Sequence, residues 1–169
     1  MSVKWTEGGA TLSEDLVYRY SLDRVWDETR ARLCWVMLNP STADGREDDP
    51  TIRKCMGFAD RWGYGSIIVV NLFAYRATKP ADLWRASGTI DIVGPDNDRT
   101  IADAVAKSKD VAVAWGGASH RIALQRIKSL CAGPLADTPL ICISENGDRS
   151  PTHPCMAGYK DPAGWGFRV

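Results

Sequence analysis

Arg32-Leu-Cys-Trp-Val-Met-Leu-Asn-Pro-Ser-Thr-Ala-Asp44 is the stretch that decides the fold. It is apolar from Leu33 to Leu38 and then breaks into Asn39-Pro40-Ser41-Thr42. An apolar run of this length, closed by turn residues, reads as a strand buried on both faces. Pro40 has no N–H to give a ladder, so the strand ends near Asn39. Open parallel sheets bind ligands just beyond the carboxyl ends of their strands. Asn39 to Asp44 is therefore expected to form the first wall of a site.

Working outward, Leu16 to Leu22 alternates apolar and polar residues, which suggests a half-exposed edge strand. Residues 1–14 are small, polar and Gly-containing, and are expected to be loosely held. After the central strand, Asp49 stands as an N-cap with Pro50 at the first helical position. Ile52, Cys55, Met56, Ala59 and Trp62 then recur at helical spacing, up to Gly63 or Gly65. Ser66 to Phe73 is a second buried strand, interrupted by one polar side chain, Asn71. A loop to Pro80 leads to a short helix at Ala81 to Ala86, with Thr78 as its expected cap. A turn at Val93 to Asp98 opens a helix from Asp98 to Lys107. Val111 to Trp115 is a third strand, stopped by Gly116-Gly117, and Leu140 to Ile143 a fourth. Between them, Ala118 to Cys131 carries one apolar and one charged helical face. The tail from Ser144 reads as irregular.

Strands that alternate with helices predict a mostly parallel sheet. The expected fold is α/β: three αβα layers, a mostly parallel four-stranded sheet and an N-terminal edge strand. The expected organisation is one domain over residues 1–169.

Composition narrows the function. A hydrophobic fraction of 44% and a charged fraction of 25% describe an ordinary globular protein. No apolar run approaches the roughly 20 residues that span a bilayer, and residues 1–9 lack the apolar core of a signal peptide. A cytoplasmic protein with no membrane partner is expected. Lys+Arg and Asp+Glu both number 21, for a net charge of +0. A protein that grips a long duplex carries a basic surplus, so the balance favours a small ligand or a short nucleic-acid contact. The five cysteines form no CxxC pair. All five read as structural, and neither a metal nor a cofactor is expected.

Parallel topology gathers the strand ends at one edge. Asn39, Asn71 with Phe73 and Arg76, Trp115-Gly116, and His153 are expected to meet there. Asn71 is the most informative. A carboxamide inside an apolar strand must find partners or cost roughly 1–3 kcal/mol, and its donor and acceptor match a nucleobase edge. It can also tie down a neighbouring loop. His153 titrates near neutral pH and suits a base or proton donor. His120, at a helix start beside Arg121, reads as exposed. Asp44 stands as a general base or a metal ligand, with no second ligand set at a convincing spacing, whereas Asp49 is explained as a cap. Arg53, Arg61 and Arg76 are candidates for phosphate. Phe58, Trp62, Phe73 and Tyr75 are candidates for stacking, with core packing the preferred reading.

Leu38-Asn-Pro-Ser-Thr-Ala-Asp44, Asp49-Pro-Thr-Ile-Arg53, Val70-Asn-Leu-Phe-Ala-Tyr-Arg76, Gly94-Pro95 with Asn97-Asp98, Ala114-Trp-Gly116 and His153-Pro154 together resemble a family of bacterial and phage proteins. It is the domain of unknown function numbered 1643, and the likeness runs from about Tyr18 to Tyr159. The order of these motifs is also similar to that of the uracil-DNA glycosylase superfamily. That resemblance implies a water-positioning role for Asn39, base reading by Asn71 and support of the leaving base by His153. Pro40, Ser41, Thr42, Phe73, Arg76, Trp115 and Gly116 would complete a base- or nucleotide-binding site, with Asp44 beside Asn39 and His153 in catalysis. Cys155 stands where the superfamily has Ser.

The sequence therefore leads to a nucleobase- or nucleotide-recognising protein that hydrolyses an N-glycosidic bond. Its partner would be a nucleotide or a short nucleic-acid segment. A non-catalytic binding module on the same scaffold is the alternative. A protein-interaction module is the third reading, and it would leave no pocket at the strand ends.

Overall fold

The computed structural model describes residues 3–41, 43–117 and 119–167. Among these, seven strands form one mixed sheet in the order β1-β2-β4-β3-β5-β6-β7. The central apolar run is β3 (Arg32–Met37), and Ser66–Asn71 is β4. They pair in parallel, with Met37 opposite Asn71 at their carboxyl ends. β5 (Asp110–Val113) lies parallel on the other side of β3, and β6 (Leu140–Cys142) lies parallel to β5.

The sheet is larger and more mixed than expected. β2 (Arg19–Val25) is not an edge strand, because it lies between β4 and β1 (Glu7–Leu12), antiparallel to both. β1 falls within the segment expected to be loose. At the opposite edge, β7 (Ala163–Trp165) pairs antiparallel with β6, inside the tail read as irregular. The four-stranded parallel expectation thus describes only the centre of a seven-stranded sheet. β1 carries two consecutive glycines and β7 has only three residues, so their place comes from the partner strand's open edge and not from their own periodicity.

Among the described residues four α-helices cover the sheet. α1 (Pro50–Arg61) begins where the cap predicts: the Asp49 side chain accepts from the Ile52 N–H, with proline in the first turn. Its stripe of Ile52, Cys55, Met56 and Ala59 packs on Leu33, Trp35 and Val69 of one sheet face. The other face carries Cys34, Val36, Val70 and Val113. It is covered by α2 (Pro80–Ala86), α3 (Asn97–Ala106) and α4 (Arg121–Ala132) through Leu83, Ile101, Ala123 and Ile127. Thr78 does not cap α2; Lys79 holds the cap position without a side-chain bond. Alternate residues of β3 feed opposite faces, as the two-residue period of a strand requires. Among the described residues no helix is long and apolar enough to cross a membrane.

Candidate functional site

The chain leaves β3 toward α1 on one face and leaves β5 toward α4 on the other. These strands are direct neighbours. Connections that diverge from adjacent carboxyl ends leave a crevice between them. A cleft of about 710 Å³ opens there, within the roughly 300–1,000 Å³ typical of small-molecule sites. Met37 and Asn71 contribute to it from the sheet, Asp49 to Ile52 from the start of α1, and Trp84, Trp115 and His153 from the rim.

Asn39, Ser41, Asn71, Trp115 and His153 all line this cleft. They come together from segments spread over more than 100 residues, because the parallel strands share one edge. Asn39 donates from Nδ2 to the carbonyls of Ala77 at 2.7 Å and Pro40 at 3.0 Å. Both amide protons are thus spent on fixing the loop, and Oδ1 remains an acceptor beside the cleft. Asn71 is 1% exposed, and its Nδ2 has no hydrogen-bond partner. Most buried side-chain polar groups are satisfied, so this donor is an exception that lies against a cavity.

His153 is half-buried, and its Nδ1 accepts from the Cys155 N–H at 3.3 Å. An accepting Nδ1 places the imidazole proton on Nε2. Burial lowers the histidine's pKa, and the nearby negative charge of Asp49 opposes part of that shift. The ring is therefore a neutral donor at pH 7.

Other expected residues lie outside the cleft. Asp44 turns back on its own loop: its Oδ1 accepts from the N–H groups of Arg46 at 2.8 Å and Glu47 at 3.0 Å. Those bonds hold its carboxyl below the ordinary aspartate range. Pro40 is buried and gives its carbonyl to the Ala77 N–H. Phe73 is fully buried and meets the edge of Trp84. Arg76 donates to the Leu16 carbonyl. Gly116 adopts φ +78 and braces the His153 loop, its N–H donating to the Pro151 carbonyl at 3.0 Å. Only glycine holds that conformation without strain. Thr42 lies outside the described residues. Of the other arginines considered for phosphate, Arg53 donates to the Asp48 carbonyl and Arg61 lies over Tyr159.

The cleft also contains residues that the sequence reading passed over. Asp49, explained as a cap, is the one carboxylate among the described lining residues. Its Oδ1 serves the helix, which leaves Oδ2 free of hydrogen bonds within the described fold. The pairing of a cap with a strand-end loop is the signal that was available for it. Arg19 lines the cleft and is 2% exposed, although alternation along its strand suggested half-exposure. His120 is not free in solvent: its ring stacks on Trp84 with centroids 4.1 Å apart. No cluster of three His, Cys, Asp or Glu groups is placed to hold a metal ion among the described residues.

Residues 19–155 match a family model described as "Protein of unknown function (DUF1643)". The chain belongs to the DUF1643 family. The matched span contains every cleft residue named here, from Arg19 to Cys155. It excludes β1 and β7, so the DUF1643 match is centred on the parallel strands and the antiparallel β2. No curated protein and no solved structure matches the chain.

Proposed function

We propose that the cleft recognises a nucleobase, carried by a nucleotide or a short nucleic-acid segment, and hydrolyses its N-glycosidic bond. The observation that carries this reading is Asn71. Its Nδ2–H is buried, unpaired and set against a cavity, which favours a ligand that brings an acceptor. A pyrimidine or purine edge supplies such an acceptor beside a donor for Oδ1. The order of the motifs, which resembles that of uracil-DNA glycosylases, supports the same assignment.

The chemistry then divides among three groups. A water held at Asn39 Oδ1 adds its oxygen to C1′ of the sugar as the C1′–N bond breaks. The departing base takes the bonding electron pair. His153, neutral, donates from Nε2 to a base oxygen where that negative charge develops. Asp49 Oδ2 receives the proton from the water and returns it to the base, so the products are free base and sugar. Asp49 replaces Asp44 in this role because Asp44 faces its own turn. Water-positioning and charge stabilisation by fixed dipoles need no metal.

Incubation with deoxynucleotides and with oligonucleotides bearing modified bases tests the reading, with chromatography for free base. Release that disappears in Asn39→Ala and Asn71→Ala supports it. Binding without release, unchanged in Asn39→Ala, supports instead a non-catalytic binding module on the same scaffold. That second reading draws on the Asn39 amide, which is committed to Pro40 and Ala77 as a structural tie. The cleft at the strand ends speaks against a protein-interaction module.

A further inference from the structure

Among the described residues three arginines are buried, and two of them are paired. Arg24 donates from Nε to Asp48 at 2.8 Å, and Arg126 is bonded to Asp98. Arg19 differs. It is 2% exposed, forms no ion pair among the described residues, and gives Nη1 to the Ala43 carbonyl at 2.6 Å. Its Nε has no partner. A buried charge is costly unless it is paired and hydrogen-bonded. Arg19 is the one that lines the cleft.

The surroundings leave it short of negative charge. Burial draws its pKa down to about 10, and the like charges of Arg76 and Arg24 act against it, while Asp49 and, to a smaller extent, Cys55 compensate. Asp49 is already engaged by the Ile52 N–H at the start of α1. Asp49 to Ile52 line the same cleft, so the positive end of the α1 dipole faces it as well. The hydroxyl-bearing residues Ser41 and Thr78 are also on the lining. A guanidinium fork with a helix start and nearby hydroxyls matches a phosphate group.

We infer that the ligand of this cleft is a free nucleotide, whose phosphate is received by Arg19 beside the start of α1. A cavity of about 710 Å³ holds one nucleotide unit, and a net charge of +0 supplies no overall basic surplus to hold a polymer backbone. The base half of the ligand rests on the reading given under Proposed function; the phosphate half stands on Arg19 and the lining around it, independently of that reading.

Calorimetry on the full chain separates the two. Its ligands are deoxynucleosides, their 5′-monophosphates, deoxyribose 5-phosphate and a single-stranded oligonucleotide. The monophosphate is expected to bind at least about tenfold more tightly than its nucleoside, the gain of one charge-assisted contact. That ratio falls to about one in Arg19→Gln, whose fold is checked by circular dichroism. Asn71→Ala weakens nucleoside and monophosphate by the same factor and leaves their ratio intact. If Arg19→Gln does not fold, competition in the wild-type protein replaces it. Inorganic phosphate then displaces the monophosphate and leaves nucleoside binding unchanged. Equal affinity for nucleoside and monophosphate overturns the inference, as does tighter binding of the oligonucleotide than of the monophosphate. Deoxyribose 5-phosphate that binds as tightly as the nucleotide, and depends on Arg19, keeps the phosphate site and sinks the base reading.

Discussion

Asn97, at the start of α3, donates from Nδ2 to the backbone carbonyl of Asn71 at 3.0 Å. The same amide reaches the Leu72 carbonyl at 3.2 Å, and Arg126 Nε donates to that oxygen at 2.8 Å. The end of β4 is thus held from the α3 face while the Asn71 side chain lines the cleft. Asn97 is fully buried, and its Oδ1 has no partner. Asn97→Ala removes the amide donor from both strand-end carbonyls and leaves that of Leu72 to Arg126, and a loss of roughly 1–3 kcal/mol is expected in urea unfolding. Asn97→Asp should cost more, because a buried carboxylate would face those carbonyls with nothing to donate. Wild-type stability in both variants would remove Asn97 from this role.

The pH behaviour of His153 follows from its setting. Its folded pKa lies below the ordinary value because burial disfavours the charged ring. The unfolded chain therefore binds the proton first. Between the unfolded value of about 6.5 and the lower folded value, stability falls as pH falls, and it is complete above that window. The direct measurement is an imidazole titration by NMR, expected to place His153 below 6.5. Asp49→Asn should lower that midpoint further, since the Asp49 charge now supports the protonated form. Asparagine is as good an N-cap as aspartate, so this variant keeps α1 while it removes the proposed base. A midpoint that rises in Asp49→Asn would contradict the account.

How far the sequence could be read depended on where each signal came from. Past Arg32, β3 is an uncharged run closed by Asn39-Pro40, β4 is uncharged throughout, and α1 carries its cap and stripe in adjacent residues; these are local signals. β1 is Glu-Gly-Gly-Ala-Thr-Leu, with no apolar period, and β7 has three residues. Their pairing is dictated by the free edges of β2 and β6, which no local pattern announces. The site divides in the same way. Asn39, Asn71 and His153 follow from strand order, and the cleft holds all three. Arg19 escaped because its burial depends on Ala43, 24 residues later in the chain. Asp44 and Asp49 are both acidic residues after the same strand. Which one faces the cleft is settled by a turn that closes on Asp44 and a helix that starts at Asp49.

Gly65 provides a test of packing rather than chemistry. Its carbonyl accepts from Trp26 and Asp27, both at 2.9 Å, and its N–H donates to the Ala31 carbonyl at 3.0 Å. The turn after β2 therefore wraps tightly around the residue that launches β4. A Cβ at Gly65 would overlap the Asp27 carbonyl oxygen and meet Arg30 Cβ at 2.9 Å. Backbone cannot move aside as a side chain does, so Gly65→Ala is expected near the upper end of overpacking costs, about 3 kcal/mol. Gly57→Ala is the control. Its new methyl would meet only the ring end of Tyr159, an exposed side chain that can swing away. Comparable losses in the two variants, measured by chemical denaturation, would show that the β2–β4 turn is looser than described.

Cys155 offers a reporter for the cleft itself. It is the exposed member of the five cysteines, it lines the cleft, and its Sγ lies 3.2 Å from Thr51 Oγ1. The others are shielded: Cys34, Cys55 and Cys142 are buried and Cys131 is half-buried. Burial also pushes their thiols up, Cys34 to about 12, so little thiolate forms on them near neutral pH. A thiol-reactive dye added to the native protein should therefore label one site quickly, and Cys155→Ser should abolish that phase. A ligand seated beside Thr51 and His153 blocks the path to this sulfur. At a ligand concentration of roughly 100 times Kd, only about one molecule in a hundred is open to the dye, and the fast phase slows in proportion. Labelling of Cys155 at an undiminished rate, under ligand concentrations that saturate binding by calorimetry, would place the ligand somewhere other than this cleft.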